Sequence, residues 1–229
     1  MIPWCLLDTA VVPGGEGSLR LMQRGREFSI RLDHYELMNS RLSGSEEALA
    51  ALACERIKSR KEPRVLIGGL GMGFTLRAAL AVLGRDARIV VAELVPAVIA
   101  WARGPMAGIF GDCLTDPRAD IRKADVVDVI RSHQSAFDAI LLDVDNGPEA
   151  LIRKANDALY DLKGLKAVSR ALRPGAVLAV WSSGPNASFS KRLRDAGFDV
   201  NEVAIRATTK RSGARHVIWF ATKPSGALQ

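Results

Sequence analysis

The chain has 229 residues, 48% hydrophobic and 25% charged, with a formal net charge of +7 and a pI near 9.7. That length and apolar content can fill one full core, or one domain with a small appendage, and no apolar run reaches the ~18 to 20 residues of a membrane-spanning helix. A positive balance attracts nucleic acid, acidic surfaces or acidic small molecules, but aromatic residues make up 6% of the chain and none interleaves with the basic runs to stack bases. In chain order, "GSLRLMQRGREFSIRLDHYELMNSRL" alternates with period two: Leu19, Leu21, Phe28, Ile30 and Leu32 fall on one face, across a turn at Gly25. Residues 1–44 therefore read as a β-hairpin or small meander. "SGSEEALAALACERIKSR" changes to helical period, with Ser43 and Glu46 spaced as a capping box and Ala48, Leu49, Leu52, Ala53 and Ile57 forming the apolar stripe. This predicts a connecting helix over 45–62, stopped by Pro63.

From residue 63 to 229, short apolar runs alternate with helical stretches. The strand candidates are "RVLIGG", "ARIVVAEL", "ADIRKA", "FDAILLDV", "AVLAVWS", "FDVNEVAI" and "RHVIWFAT". Between them lie "FTLRAALAVLG", "VPAVIAWAR", "VVDVIRSH", "YDLKGLKAVSRALRPG" and "SFSKRLRDAG". The expected fold is α/β: a Rossmann-like, seven-stranded, mostly parallel sheet with helices on both faces. Only "RATTKRSGA" separates the last two strands, too short and polar for a helix, so they pair antiparallel at an edge.

The segment "VLIGGLGMGF" carries Gly68, Gly69, Gly71 and Gly73 directly after the first parallel strand. Open α/β sheets bind ligands at this carboxyl end, and glycines let a ligand approach the main chain closely. The dinucleotide fingerprint G-x-G-x-x-G is not met, because Phe74 stands where the third glycine belongs. Glu93 closes the second strand, 20 positions after Gly73, where a carboxylate can accept both hydroxyls of a ribose. Asp125 closes the third strand, where it can face the amino edge of an adenine. Asp143 closes the fourth, with Asp145 two residues on. Each acid is also good helix-cap or turn chemistry, and it is their joint placement that points to a crevice.

The basic stretches, residues 58–64, 191–197 and 206–215, read as a solvated face. Cys5, Cys54 and Cys113 are far apart, and with His34, His133 and His216 they show no ligand spacing, so reduced thiols and no metal are expected. The opening "MIPWCLLDTAVVPGG" has no basic n-region and carries Asp8 in its apolar stretch, which predicts a cytoplasmic location without export or membrane attachment. Apolar edge strands in the N-terminal segment suggest a homodimer.

The glycine loop, the acid ending strand two, "KADVVDVI" and "FDAILLDVDNGPEAL" followed by "LKAVSRALRPGAVLAVWSSGP" together resemble the class I S-adenosylmethionine-dependent transferases, and within them the spermidine synthase-like branch. The resemblance implies that Gly68 to Gly73 lie along the methionine part of the cofactor. By it, Glu93 holds the ribose, Asp125 and Val126 flank the adenine, and Asp143 stands beside the reacting amine. The chemistry of an ammonium acceptor lets Asp143 orient it and act as base with Asp145 anchoring the cation, though "DVDNGPEA" is two residues shorter than the family's acid loop and does not equate Asp145 with its second acid. The cofactor implied is S-adenosylmethionine or its decarboxylated form, and the partner a small-molecule amine rather than nucleic acid.

Two departures shape the expected chemistry. The family's loop reads G-G-G-D-G-G, its acid contacting the amine tail of the decarboxylated cofactor, whereas "GGLGMG" carries none. That favours the intact cofactor and methyl transfer to a small amine-bearing acceptor, with aminopropyl transfer as the alternative and a non-catalytic nucleoside- or RNA-binding module as a third reading. The family's Tyr-His-Glu region is occupied by "SGSEEALA", where Glu46 and Glu47 read as surface helix residues.

Overall fold

A computed structural model describes residues 2–14, 17–143, 158–206 and 215–226. The N-terminal segment is a four-stranded antiparallel sheet in the order β1-β2-β3-β4: β1 Cys5–Val11, β2 Ser18–Arg24, β3 Glu27–Leu32 and β4 Tyr35–Asn39. The period-two pattern sets its register. Leu21 pairs with Ile30 and Leu19 with Leu32, and Leu19, Leu21, Phe28 and Ile30 are buried on one face. The sheet is larger than the alternation alone predicts, because β1 and β4 each carry a register irregularity that hides the period.

Helix α1, Gly44–Glu55, follows. It ends seven residues before the boundary expected from Pro63; turns occupy the intervening residues. The capping box does not form. Ser43 makes no side-chain cap, and Glu46 instead accepts a hydrogen bond from the Ser45 hydroxyl at 2.7 Å.

The second sheet has seven strands in the order β10-β11-β9-β8-β5-β6-β7, with β5 Arg64–Gly68, β6 Arg88–Glu93, β7 Ala119–Lys123, β8 Phe137–Leu142, β9 Leu172–Ser182, β10 Asp199–Arg206 and β11 Arg215–Thr222. Helices α2 Phe74–Val82, α3 Pro96–Arg103, α4 Ala107–Phe110, α5 Val126–Arg131, α6 Leu162–Ala171 and α7 Ala187–Asp195 connect the strands. All pairings among β5 to β9 are parallel; the reversed strand is β11, inserted between β9 and β10. The edge pair is thus antiparallel as the short connection requires, with its reversed member one place in from the rim. Strand β9 starts earlier than its apolar run, since Leu172 pairs with Phe137 and a bulge carries Pro174 and Gly175, the latter at φ +69°.

Alternate residues of each strand enter two cores. Val65, Ile67, Val91 and Leu141 pack with α1 to α4 and the N-terminal sheet, while Leu66, Ile140 and Leu178 pack with α5 to α7. On the second face, Trp219, Phe189 and Tyr160 meet edge to face at centroid distances of 5.0 and 5.5 Å. The one contiguous core on the first face fixes the small sheet above the carboxyl ends of β5 and β6. Trp101 on α3 adds a tie by donating its indole N–H to Asp8 on β1 at 2.7 Å. That bond and the Thr9 amide hold the Asp8 carboxyl below its ordinary range. No helix among the described residues is long and apolar enough to cross a membrane.

Candidate functional site

Strand β5 ends at Gly68 and hands the chain to a loop in which Gly69, Gly71 and Gly73 all take positive φ, at +87°, +51° and +77°. Only glycine adopts that sequence of conformations without strain. The glycines nevertheless differ in what they permit. A side chain at Gly73 would overlap the ring of Phe110 on α4, and one at Gly68 would press on Val126 and Leu142 at 3.1 and 3.2 Å. These two serve packing. At Gly71 the nearest atom is the flexible Met38 sulfur, at 3.2 Å, and this glycine borders two pockets.

The first pocket lies at the carboxyl ends of β5 to β8. Its sheet-end wall includes Gly69, Gly71, Glu93, Asp125, Val126 and Asp143, and Val12, Leu19, Ile30, Leu37 and Met38 of the small sheet roof it. Glu93 is buried, and its carboxylate accepts from the amides of Leu70 at 2.9 Å and Val95 at 2.7 Å. Burial raises its pKa, and the loop amides oppose that rise. The amides of Gly71 and Leu94 act on the same carboxylate, so Glu93 anchors the glycine loop while lining the pocket. Asp125 N-caps α5 by accepting from the Val127 amide at 2.8 Å. Its cap role and its place in the pocket wall coexist.

The second pocket adjoins the first and shares Leu37, Met38, Gly71 and Asp143 with it; Glu46, Leu70, Met72, Gly73, Phe74 and Trp181 complete it. Asp143 therefore stands at the junction. Its amide donates to the Gly68 carbonyl at 3.3 Å, and Thr75 in the first turn of α2 donates to its carboxylate at 2.8 Å. Some of its surface stays open to the crevice, but protein surrounds the carboxyl group closely. Desolvation, together with the charge of Glu46, pushes its pKa up to about 7.

The structure brings Gly69, Gly71, Glu93, Asp125, Val126 and Asp143 into one wall, with Gly73 in the adjoining pocket. Gly68 lies behind that wall as a packing contact. Asp145 lies outside the described residues. Glu46, read from sequence as a surface residue, instead faces the second pocket, and no local pattern announces it because α1 meets the sheet only through tertiary packing. Near it, His216 bonds through Nδ1 to the Ser45 hydroxyl at 2.9 Å and meets Trp181 edge to face at 4.8 Å. Burial lowers the His216 pKa. Trp219 is core, Trp181 lines the pocket, and Trp4 lies under Arg24 and Arg31. Residues 104–118 act as a buttress, with Phe110 beneath Gly73 and the Ile109 carbonyl accepting from Arg77. Among the described residues, no group of three or more His, Cys, Asp or Glu side chains gathers as a metal site would.

No family model matches the chain. Over 149 residues it is 30% identical to Polyamine aminopropyltransferase 1 of Streptomyces coelicolor, taking in 62% of this chain and 27% of that protein. Over 154 residues it is 27% identical to the Polyamine aminopropyltransferase of Mycobacterium tuberculosis, taking in 63% and 28%. The matched part spans little more than a quarter of these relatives' own length. Among solved structures, the spermidine synthase from Thermotoga maritima superposes with a TM-score of 0.73 at 19% identity, over 97% of this chain and 74% of that one. A spermidine synthase in complex with the transition-state analogue AdoDATO gives the same values. A probable spermidine synthase from Corynebacterium glutamicum gives 0.65 at 16% identity, over 94% and 79%. The chain thus has the fold of the spermidine synthases, and it resembles the spermidine synthase-like branch of the S-adenosylmethionine-dependent transferases in sequence as well.

Proposed function

We propose that the chain is a transferase that moves an aminopropyl group from decarboxylated S-adenosylmethionine to a small amine acceptor. The observation that carries this reading is the pairing of Asp143 with Glu46 in the pocket beside the glycine loop. The lack of an acid within "GGLGMG" had favoured the intact cofactor and methyl transfer. In the fold, α1 brings a carboxylate to the same loop from outside it, and two neighbouring carboxylates suit an ammonium tail and repel a carboxylate tail. The relatives, named as polyamine aminopropyltransferases, support the same choice.

The residues present fit such a donor. The apolar roof of Leu19, Ile30 and Met38 suits an adenine, Glu93 lines the pocket where a ribose would lie, and Asp125 with Val126 can flank the base. Gly71, open toward both pockets, lets the sulfonium lie against the main chain at their junction. The bound donor supplies a carbon activated by the adjacent sulfonium, and the chain's own groups do the rest. Glu46 holds the donor's ammonium tail, and Asp143 receives the acceptor, which arrives as an ammonium ion and must lose a proton before its nitrogen can attack. An ordinary aspartate is a poor proton acceptor for it. With its pKa raised to about 7, Asp143 makes that transfer about 4 kcal/mol less uphill. The roof excludes water from the reacting carbon.

Calorimetry with the two cofactor forms tests the reading. Decarboxylated S-adenosylmethionine is expected to bind at least tenfold tighter than the intact form, about 1.4 kcal/mol. Glu46→Gln should erode that preference, and Asp143→Asn should bind the donor while failing to turn over a short diamine. A preference for the intact cofactor would return the assignment to methyl transfer.

A further inference from the structure

At the opposite end of the same sheet, the chain forms a third concavity, lined by the first residues of β5 and β6, the entry and body of β7, and the turn into β8. It belongs to no part of the crevice, lying about 13 Å away along β5 at the ~3.3 Å rise of a parallel strand. Its polar lining is dominated by Arg64, Arg88, Arg118, Arg122 and His133, with Asp120 the acid among them.

The arginines divide by what holds them. Arg118 is fully engaged, forking onto Asp116 and donating to the carbonyls of Leu80 and Leu83. Arg122 is paired with Asp120. Arg64 and Arg88 are different: they stand opposite each other in the β5–β6 register, and neither guanidinium has a hydrogen bond or ion pair among the described residues. The nearby buried acid Asp138 is satisfied by Arg60, Arg173 and the main-chain amide of Arg64, so it neutralises neither guanidinium. Like charges directly opposite on adjacent strands repel. His133 also lines the wall, its Nδ1 held by the Val129 carbonyl at 2.7 Å and the Ser132 hydroxyl at 3.1 Å.

We propose that this cleft is a second ligand site, binding a small phosphate-bearing anion between the Arg64 and Arg88 guanidinium groups. Side-by-side guanidinium forks about 4.8 Å apart at the backbone offer more parallel N–H donors than one carboxylate can accept, and they suit the several oxygens of a phosphate or diphosphate. An anion there also removes the repulsion between the two strands.

Thermal melts and calorimetry of the full chain with inorganic pyrophosphate, at fixed ionic strength, test the proposal. Saturable binding with a rise in Tm is expected, and the Arg64→Gln, Arg88→Gln double variant should weaken it at least about tenfold. Without anion, Arg88→Gln alone should melt no lower than the parent, because it relieves the repulsion. Adenosyl-ligand binding in the distant crevice should be unchanged in the double variant, which controls for folding. Pyrophosphate binding that survives the double substitution, or an equal Tm rise with chloride at matched ionic strength, would overturn the proposal. Binding of an RNA oligonucleotide more tightly than pyrophosphate, in competition with it, would replace the small-anion site with a nucleic-acid face.

Discussion

Thr75 donates its hydroxyl proton to Asp143 at 2.8 Å, tying the first turn of α2 to the end of β8 across the mouth of the crevice. This bond stabilises the carboxylate against burial and against the charge of Glu46, which both favour its protonated form. Thr75→Val should therefore raise the Asp143 pKa further and move the acidic limb of kcat/KM to higher pH. Glu46→Gln should move the same limb to lower pH. Opposite displacements in a pH–rate profile are the expected outcome, and shifts of the same sign would remove Asp143 from the proton transfer.

The same carboxyl group makes stability depend on pH. The folded protein holds the Asp143 proton up to about pH 7, against an ordinary value of 3.8. Below the lower value both states are protonated and the group contributes nothing. Between the two, the unfolded chain ionises first, so the contribution grows steadily more unfavourable, and above the higher value it stays constant. Asp143→Asn should thus melt higher than the parent at pH 8 and lose most of that advantage at pH 4, as read by urea or thermal unfolding.

Glu93 couples binding to folding. Its carboxylate accepts from the Leu70 and Val95 amides, and those of Gly71 and Leu94 also act on it. Glu93→Ala should lower unfolding stability by about 2–4 kcal/mol as well as weaken adenosyl binding, because buried amides are left unmet. Glu93→Gln keeps an acceptor oxygen and should recover part of the stability in denaturant titrations. A fully stable, binding-competent Glu93→Ala would discard this role.

Gly71 and Gly73 should separate under substitution. Gly73→Ala meets the Phe110 ring and holds alanine at φ +77°, so a loss of about 2–4 kcal/mol in unfolding free energy is expected. Gly71→Ala is strained too, at φ +51°, but meets only the movable Met38 sulfur, so it should lose less stability and leave a folded chain whose adenosyl binding is weakened. Equal losses of stability in the two variants would mean that both glycines serve packing.

The sheet was legible in the sequence because its strands are continuous apolar runs and its crossovers carry helical period, two signals that local residues suffice to write. The acids at three strand ends were legible for the same reason: position at the end of a run fixes position at the rim of the sheet. What local pattern could not carry was contact between distant segments. Glu46 looked like one half of a capping box because its spacing from Ser43 fits one, yet α1 packs so that its side chain turns toward the loop of "GGLGMG". Phe110 gave no sign of its place beneath Gly73, 37 positions earlier in the chain. The roof of the crevice was hidden likewise, since alternation identifies a buried face without naming what lies against it.

That roof has a kinetic consequence. Val12, Leu19, Ile30, Leu37 and Met38 reach the first pocket from a small sheet whose described strands pair only with one another, held over the larger sheet by side-chain packing and by the bond between Trp101 and Asp8. A guest under such a canopy should leave no faster than the canopy peels back, and while resident it should clamp the two sheets together. Occupancy of the crevice and adhesion of the N-terminal strands are then two readings of one equilibrium.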